Sequence, residues 1–266
     1  MTLIRLIFPP SPTFVERDMP DLTGKVTIVI GATSEVGAIS TIRSSAEYPG
    51  SRCRLEFLSL DLLDLSSIKT SADTFLQSEV QLDILIHNAG VMTPPPGSKT
   101  KLICTISLRH TSLIFKLTGI VQGHDLEMGT NALGPVLFND LLLPLLQHTP
   151  HWVVVWVASI IEHNVAQGGI VLDKQTGAPK LLNDPVENYM ESKVVNVFFA
   201  SEMARRFEDG ILNLSVHPGL MKTELQRHRS LVFGTIMGLV FNPPRYGAYI
   251  AAKFWAWCEK ETAAYR

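Results

Sequence analysis

The sequence predicts an α/β fold: a doubly wound parallel sheet flanked by helices. Three observations carry that expectation. Five short apolar runs alternate with longer stretches of helical periodicity, the pattern of βαβ units. The first of these runs, KVTIVIG, is β-branched and apolar and closes in glycine, the form of a buried parallel strand. Charged residues make up 18% of the chain, below the usual quarter of a soluble domain, and hydrophobic residues 46%. A chain of 266 residues with that composition has ample material for one packed core, so a single domain over 1–266 is expected.

Residues 1–24 are Pro-rich and end in Asp21-Leu22-Thr23-Gly24, a surface arm and turn. The run 25–31 (KVTIVIG) is then the first strand, closed by glycine. Residues 55–61 (LEFLSLD) read as a second strand and 82–88 (LDILIHN) as a third, closed by Ala89-Gly90. Residues 152–160 read as a fourth and 212–217 as a fifth, closed by Pro218-Gly219. Helical patterns fill 66–80, 134–147 and 186–207.

Several function classes fall away at once. Lys+Arg 23 against Asp+Glu 25 leaves a net charge of −2 and no basic footprint for nucleic acid. Cys53, Cys104 and Cys258 are widely spaced with no CxxC, which argues against a disulfide framework or zinc site and for a reducing, cytoplasmic setting. The apolar stretch 231–241 is too short to cross a bilayer as a helix. A core or pocket wall is its first reading, and contact with a membrane surface its second.

In open parallel sheets ligands bind outside the carboxyl ends of the strands, so the residues there matter most. After the first strand comes Gly31-Ala32-Thr33-Ser34-Glu35-Val36-Gly37, a glycine-bearing turn that opens a helix. Such a turn lets backbone N–H groups face a pyrophosphate, or is only a tight turn. Asp61-Leu62 offers a carboxylate and an amide to an adenine ring, or a helix cap in competition with Asp64 and Ser66. Asn88-Ala89-Gly90 has the small side chains that let a ribose approach, or ends a strand in an ordinary turn. Ser159 follows the fourth strand, and Tyr189 and Lys193 stand four apart on a helix, on one face. An ammonium beside a phenol favours phenolate and brings its pKa down from about 10, as general acid/base work requires. Gly219 and Thr223 follow the fifth strand, where the threonine binds phosphate or caps a helix.

Taken together, the order and spacing of these residues resemble the short-chain dehydrogenase/reductase family. The strings DLTGKVTIVIGATSEVG, FLSLDLLDLSSIK, LDILIHNAGVM, GTNALGPVLFNDLLLPLL, YMESKVVNVFFASEMARR and SVHPGLMKTELQRH are similar to its retinol-dehydrogenase-like branch, and most similar to fungal members. The resemblance covers most of residues 8–250. It implies a Rossmann-type sheet and hydride transfer between NADP, or NAD, and an alcohol/carbonyl pair of a small apolar substrate. A place in fungal secondary metabolism and a homodimer are further implications.

Carried onto this chain, Tyr189 is the proton donor or acceptor, Lys193 lowers its pKa and holds the nicotinamide ribose, and Ser159 positions the substrate oxygen. Asn131 completes the proton relay. Gly31, Ser34, Val36 and Gly37 form the pyrophosphate turn. Asp61 and Leu62 meet adenine, and Asn88, Ala89 and Gly90 a ribose. Gly219, Met221 and Thr223 line the nicotinamide and pyrophosphate.

Departures from the family pattern support a second reading, a catalytically impaired relic that binds nucleotide weakly or serves as a partner surface. Glu35 stands where the family has its middle glycine, and brings bulk and like charge toward the pyrophosphate. Only 23 residues lie between Gly37 and Asp61, too few for the family's helix, strand and helix. Residues 97–122 form an atypical insertion, and the 43 residues after Thr223 leave a last strand unaccounted for. One or two of the family's strands are therefore expected to be missing. His87 stands at a position where the family usually has Asn. A third reading, a nucleotide-sugar epimerase or dehydratase, shares Tyr-x-x-x-Lys but has no room for its sugar domain after Thr223.

Overall fold

The computed structural model describes residues 22–31, 56–95, 124–159, 168–207 and 211–219, together with Asp18 and Val165. Within them lies a four-stranded sheet of β1 (Thr27–Ile30), β2 (Ile84–His87), β3 (Trp152–Val157) and β4 (Ile211–Val216), in that order. Every neighbouring pair is parallel, and the ladders place Ile30 beside His87, His87 beside Trp156 and Trp156 beside Ser215. Between the strands run α1 (Leu65–Ser78), the short α2 (Leu126–Met128), a π turn (Gly129–Leu133), α3 (Gly134–His148) and α4 (Pro185–Arg206). The parallel sheet with flanking helices is the architecture read from the sequence.

Alternation along the strands builds two layers. Leu85, Trp152, Val154 and Trp156 face a core that also holds Ile68, Ala72 and Phe75 of α1, Leu137, Phe138, Leu142, Leu143 and Leu146 of α3, and Ala200 and Met203 of α4. Ile84, Val153, Val155 and Leu214 point to the opposite face. The three longer helices thus share one face, as right-handed crossovers between strands added in a single direction require. The second winding direction expected from the sequence, the strands expected to be missing, the insertion 97–122 and the apolar stretch 231–241 all concern residues outside those described.

Local chemistry sets the element ends. The predicted turn before β1 forms, with Lys25 N–H donating to the Leu22 carbonyl at 3.0 Å and Gly24 at φ +80°. Asp83, 5% exposed, ties β1 to β2 at the far end of the sheet from the candidate site. It accepts from Val26 N–H at 2.8 Å and pairs with Lys25 Nζ at 3.0 Å. Asp64 caps α1, accepting from Ser66 N–H at 3.0 Å, and Asp184 caps α4 through Val186 N–H at 2.8 Å.

One predicted element takes another form. Residues 56–61 belong to no strand. Leu58 and Leu60 still pack against the core, but the Ser59 carbonyl accepts from the Ser71 hydroxyl of α1 rather than from a neighbouring strand. The apolar alternation was legible; the ladder was not, because pairing needs a strand beside it and periodicity shows only which side faces inward.

Candidate active site

Four turns line up along one rim of the sheet, because the ladders bring the carboxyl ends of β1 to β4 side by side. Gly31 follows β1 at φ +86°, and a Cβ there would lie 2.5 Å from Ala89 Cα. The turns after β1 and β2 therefore touch backbone to backbone, which only glycine permits at that position. Asn88 is exposed, Ala89 and Gly90 are half-buried, and Ser159 is half-buried two residues past β3. Gly219, at φ +88°, closes the turn after β4 with its N–H 3.3 Å from His217 Nδ1. Ser34, Val36, Gly37, Met221 and Thr223 lie outside the described residues, as does Glu35.

Behind this rim stands a buried polar knot. Asn131 is fully buried in the π turn, where the Gly134 N–H reaches back five residues to the Gly129 carbonyl. Its amide accepts from Val91 N–H at 2.8 Å and donates to Val91 O and Ser192 Oγ, each at 2.9 Å. Ser192 in turn donates to the Tyr189 carbonyl at 2.8 Å. Lys193, 3% exposed, donates from Nζ to the Val157 carbonyl at 3.0 Å, at the very end of β3. Asn196 donates to the same oxygen at 3.1 Å. A Cβ on Gly90 would meet Lys193 Nζ at 3.1 Å and Asn131 Oδ1 at 3.3 Å. Gly90, Asn131 and Lys193 thus converge from three elements, with Tyr189, 3% exposed, one turn before Lys193 on α4.

Asp61 and Leu62 sit at the edge of this arrangement. Asp61 Oδ1 accepts from Leu63 N–H at 2.9 Å, and the Leu62 side chain is buried against Gly134, whose added Cβ would meet it at 3.0 Å. The competition for the α1 cap is resolved in favour of Asp64.

No family model matches the chain. A short-chain dehydrogenase/reductase of Phomopsis amygdali is 35% identical over 279 residues, covering 91% of this chain and 76% of that protein. The chain belongs to the short-chain dehydrogenase/reductase family. It is an oxidoreductase of that family. The relative pkfC of Emericella nidulans is 34% identical over 282 residues, covering 90% of this chain and 80% of its own. Among solved structures, an uncharacterized protein from Mycobacterium Paratuberculosis superposes with a TM-score of 0.54 at 26% identity, covering 88% of this chain and 79% of its own. The aldohexose dehydrogenase of Thermoplasma acidophilum superposes with a TM-score of 0.51 at 15% identity, covering 85% of each chain, and shares the fold.

Several residues that hold this dehydrogenase/reductase site together were not singled out from the sequence. Glu127, 1% exposed, accepts from Thr93 N–H at 2.6 Å and holds that residue in a left-handed conformation at φ +43°. Ser192 and Asn196 flank Lys193 by one and three positions. Their helical phase was available, but the strand-end carbonyl and the π-turn amide they meet were not.

His87 ends β2 below the rim, stacked on Trp156 with ring centroids 4.1 Å apart. Neither ring nitrogen has a hydrogen-bond partner among the described residues. Burial pushes its pKa from 6.5 down to about 3, and the Asn139 amide opposes this without completing a hydrogen bond of normal geometry. The unfolded chain takes up a proton at this imidazole near 6.5 and the folded chain only near 3, so its stabilising effect is complete above about pH 6.5 and is lost as the pH falls. At pH 5 the loss comes to about 2 kcal/mol. His124, also pushed down by burial, acts in the same direction. Asp140, whose carboxyl burial pushes up to about 6, and Glu191, also pushed up by burial, act in the opposite direction and gain stability as the pH falls. The His87 effect is therefore read as a difference: between pH 8 and pH 4.5 the urea unfolding midpoint of wild type is expected to drop relative to that of His87→Phe, which keeps the stack. Parallel slopes for the two chains would show that His87 is not the group responsible.

Among the described residues no helix is long and apolar enough to cross a membrane, and no cluster of His, Cys, Asp or Glu could hold a metal.

Proposed function

We propose that this chain interconverts an alcohol and a carbonyl group of a small apolar substrate with NADP, NAD being the alternative. Ser159, Tyr189, Lys193 and Asn131 form its catalytic set. The observation that carries the reading is the convergence of Gly90, Asn131 and Lys193 Nζ, one helical turn from Tyr189. The rim fits a dinucleotide in its small residues: a side chain at Gly31 would strike Ala89, and one at Gly90 would crowd the lysine ammonium. Gly31, Ser34, Val36 and Gly37 would hold the pyrophosphate, Asp61 and Leu62 the adenine, and Asn88 to Gly90 a ribose. Tyr189, Lys193, Gly219, Met221 and Thr223 would hold the nicotinamide end.

When bound, the nicotinamide supplies or accepts the hydride. The chain's own residues handle the proton. The Tyr189 hydroxyl protonates the carbonyl oxygen in reduction and takes the proton back in oxidation. The Lys193 ammonium favours the phenolate between turnovers. The Ser159 hydroxyl donates to the substrate oxygen as negative charge grows on it. Asn131, pinned by Val91 and Ser192, fixes the start of α4 on which the tyrosine stands.

The fungal relatives lend support to a role in fungal secondary metabolism, and a homodimer belongs to the same reading. Titration of the purified chain with NADPH and with NADH, followed by nicotinamide fluorescence, is expected to give saturable binding with NADPH the tighter. Consumption of NADPH with apolar ketones follows. Absence of binding would overturn the reading, and binding without turnover on any carbonyl would favour the impaired relic suggested by Glu35.

A further inference from the structure

The helix α4 carries two stripes with different duties. Tyr189, Lys193, Asn196, Ala200 and Met203, spaced by four, three, four and three, face the sheet and its core. Asn188, Glu191, Val195 and Phe198, spaced by three, four and three, receive the segment 168–184 along the helix. The Asn188 amide accepts from Leu182 N–H at 2.8 Å and donates to Leu182 O at 3.0 Å. Glu191 Oε1 accepts from Val171 N–H at 3.0 Å. Val195 shares a cluster with Ile170, and the Phe198 ring lies against Gly169, where an added Cβ would stand 2.4 Å from the ring.

The segment is held by its own bonds as well. Leu172 and Pro179 form an antiparallel bridge, and Asp173 Oδ1 gathers Gln175 N–H, Thr176 N–H and the Thr176 hydroxyl. It therefore behaves as a preformed strap whose position depends on its anchors. Two of these, Asn188 and Glu191, bracket Tyr189 on the helix. Glu191 is the charged one of these four anchors and is 3% exposed. Burial pushes its carboxyl above the usual carboxylate range, with the Val171 N–H opposing and Glu187 adding to the rise.

We propose that Glu191 is a positioning residue: through the Val171 N–H it fixes the 168–184 strap beside Tyr189, and the strap sets how an apolar carbonyl substrate is held against the tyrosine hydroxyl. The substrate half of this rests on the function proposed above. Glutamine offers the same acceptor at the same place. Leucine fills the space but takes away the acceptor of the half-buried Val171 N–H.

The test compares wild type, Glu191→Gln and Glu191→Leu, with 9,10-phenanthrenequinone as probe substrate. Glu191→Leu is expected to raise KM for the quinone about tenfold, with kcat and NADPH affinity changed less than about twofold. Hydrogen exchange should quicken in peptides spanning 168–184 and not elsewhere, and Glu191→Gln should restore both readouts. An unmoved KM in Glu191→Leu, or equal impairment in Glu191→Gln, overturns the proposal. A wild type that neither binds NADPH nor reduces the quinone defeats the proposed function instead. Exchange then decides the anchoring alone, and unchanged rates in Glu191→Leu overturn it.

Discussion

Tyr189→Phe lowers turnover about a thousandfold and leaves NADPH affinity within about twofold of wild type. The ring is 3% exposed, and phenylalanine keeps its packing and removes only the oxygen. Lys193 keeps its bond to the Val157 carbonyl, and Asn131 its bonds to Val91 and Ser192, because none of them uses the phenol oxygen. Single-turnover reduction with bound NADPH separates the proton step from product release. Turnover within tenfold of wild type would mean that another group protonates the substrate.

Asn131→Ala is expected to cost stability as well as activity. Three hydrogen bonds end on this one fully buried amide, and its loss strands Val91 N–H, Val91 O and one bond of Ser192. Leaving such groups unsatisfied, with a cavity beside them, costs about 3 kcal/mol in all. For a chain of this size that lowers the melting temperature by about 8 °C. Asn131→Asp should do little better: it keeps the acceptor for Val91 N–H but loses both donations and sets a carboxylate beside the Val91 carbonyl. A loss under about 1 kcal/mol in the alanine variant would show that the three groups find new partners.

How far the sequence could lead is visible in α3 and α4. Asp184-Pro185 marks the start of α4 by cap and proline, and its predicted span of 186–207 differs by one residue at each end from the observed Pro185–Arg206. The helix expected at 134–147 is α3, Gly134–His148, with the predicted start and one residue more at its end, but the short α2 and the π turn that lead into it were not foreseen. That turn leaves no periodic signal, because five-residue hydrogen bonding at Gly129 depends on what the neighbouring loop offers to Asn131. The strand-end residues could be read in order, and Gly31 and Ala89 do meet. What could not be read were the contacts that no spacing encodes: Val157 O between Lys193 and Asn196, and Val171 N–H on Glu191.

The two stripes of α4 restrict how this chain can change in length. A residue replaced on one stripe disturbs one contact. A residue inserted or deleted between Asn188 and Phe198 turns everything beyond it by about 100° around the axis. An insertion between Asn188 and Glu191 would take Lys193 off the Val157 carbonyl and Glu191, Val195 and Phe198 off the strap in a single event. α4 thus tolerates spelling errors but no shift of phase.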